Sequence, residues 1–297
     1  MSISVGLLDR LITLSRRSRC DISDRFAWPA AVSTRKLWCD EELLSTFGTG
    51  AHDRLTRDDL AALSKWEAVN FFSLNVYGIK DAMAFLCKKM YEDRYIPTRE
   101  YMHIFLAEEN DHLWFFAKFC IDYVGKIYSS RWPRTEETTS DLEEDFLMFS
   151  SILIFEEFVD FYNKRVGDNL EVEPILRDIN YQHHIDESRH VSFGREVVRA
   201  LFADIMESST NPDATRAALE KKIINRFTYF ITMMYNPSTY EDSQVYTRAG
   251  FQSAFQMRNE LRNAPERRQH HHRWFQRTAE FFRRTGVVRD TGFLLSC

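Results

Sequence analysis

The sequence predicts an all-α molecule: a four-helix bundle core with additional helices on its N- and C-terminal sides. Three observations predict it. Glycine and proline are sparse, 10 and 7 in 297 residues, and the long segments between them repeat apolar residues at three- and four-residue steps, the period of a half-buried helix. Alternating apolar and polar runs of the kind that form strands are nearly absent. Four periodic segments follow one another, with short connections inside each pair, as antiparallel helices around a shared interior do. A composition 44% hydrophobic and 14% aromatic can fill a large core.

Residues 1–55 are mixed in pattern, and "DRFAWPAAVSTRKLW" reads as an irregular wrap over the core. Thr56, with Asp59 three residues later, forms a capping-box signature that opens the first long helix, residues 57–91, with Gly78 as its weak point. Pro97 sits where a helix loses no hydrogen bond to it, and the second helix follows to about residue 128. The acidic loop "RWPRTEETTSD" separates it from the third, residues 142–166, stopping at Gly167. Pro174 starts the fourth, "ILRDINYQHHIDESRHVSFGREVVRALFADIM". Beyond it the pattern gives helices at 215–235, 246–262 and 265–284. In the last, "RRQHHHRW" reads as a solvated basic face, because consecutive histidines splay around a helix and cannot converge on one ion.

A net charge of −5 provides no basic field to gather nucleic acid or anionic lipid, so neither is expected as a partner. No stretch nears the roughly 18 apolar residues that span a bilayer. The N-terminus places arginines after its apolar piece, the reverse of a secretory signal. The five cysteines, Cys20, Cys39, Cys87, Cys120 and Cys297, are odd in number and never spaced Cys-x-x-Cys, which argues against a disulfide framework or a thiolate zinc site. A cytoplasmic protein is the expectation.

Chemistry concentrates in "HHIDESRH", residues 183–190. On a helix, His183, Glu187 and His190 fall at i, i+4 and i+7 and share a face, while His184 and Asp186 turn elsewhere. The second helix carries a matching pair, Glu109-Asn-Asp-His112. Glu-x-x-His on two helices, with one further carboxylate from each of the other two, is the pattern of a two-metal site inside a bundle. An unpaired buried carboxylate costs several kcal/mol, which divalent cations would offset. The third helix offers Glu156 or Glu157, and Glu156 is favoured by Ile152, Leu153 and Val159 on its face. On the first helix the choice is Asp81 or Glu67. A turn at 92–96 brings Asp81 level with Glu109, whereas Glu67 lies fourteen residues, roughly 21 Å of helix, further along. Asp81 is preferred. Nitrogen and oxygen donors without thiolate suit a pair of non-haem iron ions, with manganese as the alternative. Trp114, Phe115, Phe116, Phe155 and Phe193 lie near these residues in sequence and are candidates to line a substrate pocket. The whole chain, 1–297, is read as one domain, with the metal-binding core at about 57–205 and accessory helices at about 213–285.

On these residues the chain resembles the ferritin-like non-haem diiron oxygenases over about 57–205, and within them the p-aminobenzoate N-oxygenase family. His183, four residues before Glu187, carries the narrower resemblance, which implies a seventh protein ligand. The family uses glutamate on the first helix, where Asp81 departs from it. The resemblance implies a monooxygenase of secondary metabolism that oxidises an aromatic amine to hydroxylamine, nitroso or nitro products through a peroxo species of two Fe ions. It also implies a small-molecule substrate, O2, a ferredoxin- or reductase-type electron donor and a homodimer. Asp186 and Arg189, beside the ligands, become candidates to orient the imidazoles. Two alternatives keep the metals: a hydroxylase or desaturase acting on carbon, and a ferroxidase or storage bundle. A metal-free helical interaction module is the remaining one.

Overall fold

The computed structural model describes residues 3–18, 21–130 and 137–296. Among the described residues it is all-α, with no β structure beyond an isolated parallel bridge between Leu37 and Val172. This is consistent with a ferritin-like arrangement. Residues 131–136 of the expected acidic loop, Cys20 and Cys297 lie outside the described residues.

The N-terminal part, which the pattern left mixed, contains helix α1 (Val5–Ser18), whose Leu8 and Leu11 are buried. Four long helices follow: α2 (Arg57–Lys89), α3 (Arg99–Val124), α4 (Asp141–Asp168) and α5 (Pro174–Ser208). The capping box forms as expected, with Thr56 Oγ1 accepting from the Asp59 amide and the Asp59 carboxylate accepting from the Thr56 amide. α2 runs unbroken through Gly78, since one glycine costs a helix only about 1 kcal/mol and burial along most of its length outweighs that. α3 ends at Gly125, earlier than the pattern indicated. That residue adopts φ 73°, and its amide reaches back to the Cys120 and Ile121 carbonyls, a left-handed cap that glycine makes without strain.

α4 ends at Asp168, just past Gly167. A Cβ at Gly167 would meet the backbone of Tyr181 at 3.0 Å, so the glycine serves the close approach of α4 to α5. These two helices pair along much of their length, as α2 does with α3. Aromatic rings join the pairs in the interior. Phe71 on α2 stacks on Tyr162 of α4 at 3.5 Å, and Phe72 on α2 meets Phe116 of α3 at 4.7 Å.

Accessory helices cover this core: α6 (Pro212–Met233), α7 (Pro237–Ser243), α8 (Val245–Arg248), α9 (Ala254–Asn263) and α10 (Pro265–Arg284). The helix expected at 246–262 is thus two, divided where Gly250 adopts φ 91°. α6 packs Phe230 on Phe155, and α10 packs Phe275 on Phe158. The basic stretch on α10 is solvated on one side only. Arg267 and His271 are buried; Arg267 donates to the Tyr235 hydroxyl and the Phe47 carbonyl, and His271 Nε2 lies 2.6 Å from the same hydroxyl. No helix among the described residues is long and apolar enough to cross a membrane.

Candidate metal centre

α3 and α5 bring their two Glu-x-x-His pairs together. One donor atom each from Glu109, His112, Glu187 and His190 lies within 4.8 Å of the other three, and all four residues are buried. The His112 and His190 rings are 5.6 Å apart. His190 Nδ1 stands 2.8 Å from Glu109 Oε1, and His112 Nδ1 stands 3.4 Å from the same oxygen. His183 projects from the face of α5 that carries Glu187 and His190, with Nε2 at 2.7 Å from Glu187 Oε1. Phe105 packs on His190 at 4.1 Å, and Phe116 packs on His183 at 4.8 Å, so the donors sit in an aromatic, water-poor sleeve.

Whether these residues fit a metal can be tested on their hydrogen bonding. Buried polar atoms are nearly always partnered, yet Glu109 Oε1, His112 Nδ1, Glu156 Oε2, His183 Nε2, Glu187 Oε2 and His190 Nδ1 are buried with no conventional hydrogen bond, and all but Glu156 Oε2 face only residues of this same group, in imidazole–carboxylate contacts of 2.7–3.5 Å. These six atoms come from three helices. Cations accepting their lone pairs would satisfy them, and the donor chemistry, imidazole and carboxylate, suits iron or manganese.

The outward nitrogens of the same rings are held. His112 Nε2 lies 3.3 Å from Asp186 Oδ2, and His190 Nε2 lies 2.9 Å from Glu108 Oε2. The Asn163 amide is 2.6 Å from His183 Nδ1, and its Oδ1 otherwise has no partner. The amide nitrogen is the atom nearest the ring; with the two ends of the amide exchanged, Nδ1–H would donate to Oδ1 and leave Nε2 its lone pair. Arg189 bridges Asp186 and Glu108 at 2.9 and 2.7 Å, and Arg25 donates to Asp186 at 2.6 Å. Each imidazole therefore has one nitrogen held from outside and one inward. Asp186 and Arg189 were flagged by their position in sequence. Glu108, Asn163 and Arg25 were not, although Glu108 stands directly before Glu109.

On α4, Glu156 faces the group, while Glu157 receives Arg195 Nε at 2.6 Å and the Thr278 hydroxyl at 3.1 Å. α2 is different. A cavity of about 20 Å³ beside the donors is lined by Glu109, Glu156, His183 and Glu187, and from α2 by Asn75, Gly78, Ile79 and Ala82. Neither Asp81 nor Glu67 lines it. Asp81 stands at the expected height, one residue from Ala82, but turned about 100° around the helix, toward the Tyr229 phenol of α6, which burial raises and the Asp81 charge raises further. Glu67 belongs to a separate buried cluster, accepting from the amide and hydroxyl of Ser45. The turn-length count set the level on α2 and not the face. Through Gly78 and Phe155 the cavity adjoins a second one of similar size, lined by Tyr77, Phe158, Tyr229, Phe230, Met233 and Met234 among others. Of the aromatic residues expected near the site, Phe155 lines both cavities, Phe115 and Phe116 pack on the histidines, Phe193 packs on Tyr101, and Trp114 is partly exposed.

The buried acids and imidazoles shift one another's proton affinities strongly. Burial pushes the Glu156 carboxyl well above its ordinary range, and the neighbouring Glu187 charge adds to this. Burial acts the same way on Glu187, but His183 and His190 reverse it and hold the group well below. Burial would lower His112, yet Asp186 and Glu109 beside it raise it to about 9; in His183 the lowering wins. A divalent cation displaces such protons, and the rings then bind as neutral imidazoles.

The chain matches the family model described as p-aminobenzoate N-oxygenase AurF over residues 5–286. No curated protein matches it. The family match spans almost the entire chain, including the α3 and α5 pairs and the accessory helices. The chain belongs to the p-aminobenzoate N-oxygenase AurF family, and is an oxygenase, an oxidoreductase that uses O2.

Proposed function

We propose that this chain is a diiron N-oxygenase that converts an aromatic amine to its hydroxylamine, and onward to nitroso or nitro products. The observation that carries the reading is the buried convergence of Glu109, His112, Glu187 and His190, with one donor atom of each within 4.8 Å of the others, and with Glu156 and His183 lining the cavity beside them. Glu109, His112, Glu156, His183, Glu187 and His190 would hold the two irons, with Glu187 placed between His183 on one side and His190 on the other. When bound, the pair supplies reductive activation of O2 and delivery of one oxygen atom to nitrogen. The first step balances as R–NH2 + O2 + 2 electrons + 2 protons giving R–NHOH + H2O, with the electrons from a ferredoxin- or reductase-type donor.

The protein's own part is positioning and exclusion of water. Asp186, Asn163 and Glu108 fix the three imidazoles from outside, and Arg25 and Arg189 keep the two acids ionised as acceptors. Phe105, Phe115 and Phe116 close the site on the α3 side. The amine approaches from the other side, along the two adjoining cavities, whose aromatic and methionine lining suits an arene. At about 20 Å³ each, these hold a water-sized guest, and an aryl ring enters as Phe155 and the methionines shift. The cytoplasm, a dimeric state and a role in secondary metabolism complete the proposal.

The test is single turnover. Iron-loaded, reduced protein is mixed with 18O2 and p-aminobenzoate or another arylamine, and products are read by mass spectrometry. One 18O on the hydroxylamine nitrogen supports the reading. Iron oxidation without any organic product would turn it toward the ferroxidase alternative, and oxygen on carbon toward a hydroxylase.

A further inference from the structure

We propose that Asn75 takes the place of a carboxylate on α2, so that the two metal ions are held with unequal affinity. This rests on the dimetal reading above. In a bundle of this kind each of the four helices contributes a carboxylate, and four carboxylates neutralise two divalent cations. Here the wall that α2 presents to the inner cavity is Asn75, Gly78, Ile79 and Ala82, and the only polar side chain in it is an amide. Asn75 is 1% exposed, and its Nδ2 donates to the Phe71 carbonyl at 2.9 Å. That bond occupies the amide nitrogen back along α2, so the oxygen is the atom of this side chain that could ligate.

The two positions are unlike in construction. Glu109, His112, Glu187 and His190 already converge within 4.8 Å and form a preorganised seat for one cation. The second seat is the cavity itself, about 20 Å³, where His183, Glu156 and Asn75 add to the shared Glu187 and Glu109. An amide oxygen carries no charge, so three carboxylates face four positive charges. The uncompensated unit charge is buried, which is costly, and the cost falls on whichever ion binds second.

The experiment is an anaerobic titration of metal-free protein with Mn(II), following free Mn(II) by electron paramagnetic resonance, on wild type, Asn75→Asp and Asn75→Leu. Thermal unfolding of the metal-free variants confirms that they fold. The expected result is two resolved steps in the wild type. Restoring a charge at this position, Asn75→Asp tightens the second step by about tenfold or more and leaves the first unchanged, and Asn75→Leu weakens only the second. Two ions bound with equal affinity, or a second step indifferent to both substitutions, would overturn the role of Asn75 and leave the dimetal centre standing. Less than one equivalent bound at saturation would overturn the dimetal centre itself, and this inference with it.

Discussion

Glu67 is a buried acid away from the candidate metal centre. Burial raises its carboxyl from 4.5 to about 7, against hydrogen bonds from Ser45 that lower it. The folded protein therefore keeps a proton that the unfolded chain releases between those values. Its stabilising contribution is complete below pH 4.5, declines as pH rises, and is gone above about 7, a difference of roughly 3 kcal/mol. Glu67→Gln, measured by denaturant unfolding at several pH values, should flatten that decline and leave metal content unaltered. Loss of metal in this variant would instead mark Glu67 as a ligand. Glu108 is the opposite case, an acid whose value lies in the ring it holds. Glu108→Gln removes the charge that accepts from His190 Nε2 and should weaken metal binding about ten- to hundredfold in a chelator competition, with little change in helical content. The grouping of Glu109 with His112, and of Glu187 with His190, was legible in sequence because helix spacing puts each pair on one face, and the fold brings the two pairs together. Glu108 and Asn163 were illegible, since their partners are ring nitrogens whose outward direction exists only in three dimensions, and Arg25 reaches Asp186 from 161 residues away.

Among the elements, α4 and α5 matter most, because Glu156 of one and His183 of the other line the same cavity. Gly167 sets how closely they approach. Gly167→Ala places a methyl group against the Tyr181 backbone and should cost about 1–3 kcal/mol, seen in thermal unfolding together with weakened metal binding. An unchanged melting temperature would mean that the pair does not depend on this approach. A glycine near the end of a periodic run suggests a helix stop; α4 does end at Asp168, but the close approach at Gly167 has its cause on a neighbouring helix. α2 gave the same kind of lesson. The length and cap of the helix followed from Thr56, Asp59 and the apolar period, but the azimuth that turns Asn75 inward and Asp81 toward α6 depends on how the whole helix rolls against α3. In α1 the apolar stripe is short and interrupted by arginines, too weak a period to stand out before its partners α3 and α5 are known.

At the scale of the molecule, the accessory helices are joined to the core by the residues that build the site's far wall. Phe155 contacts α6, Phe158 contacts α10, and Glu157 receives a hydrogen bond from α10. We propose that core and cover fold as one unit. Calorimetry should then give a single transition whose van't Hoff and calorimetric enthalpies agree, and iron loading should raise its midpoint. Two separate transitions would divide the chain into independent domains.

The account stands on two cations among His112, His183, His190 and the carboxylates between them. Crystals of protein saturated with iron under anaerobic conditions, measured on both sides of the iron absorption edge, test it most directly. The prediction is two anomalous peaks about 3.5–4 Å apart, one within the group of Glu109, His112, Glu187 and His190, the other in the cavity beside Asn75, Glu156 and His183. A saturated crystal with no anomalous density among these side chains would contradict it.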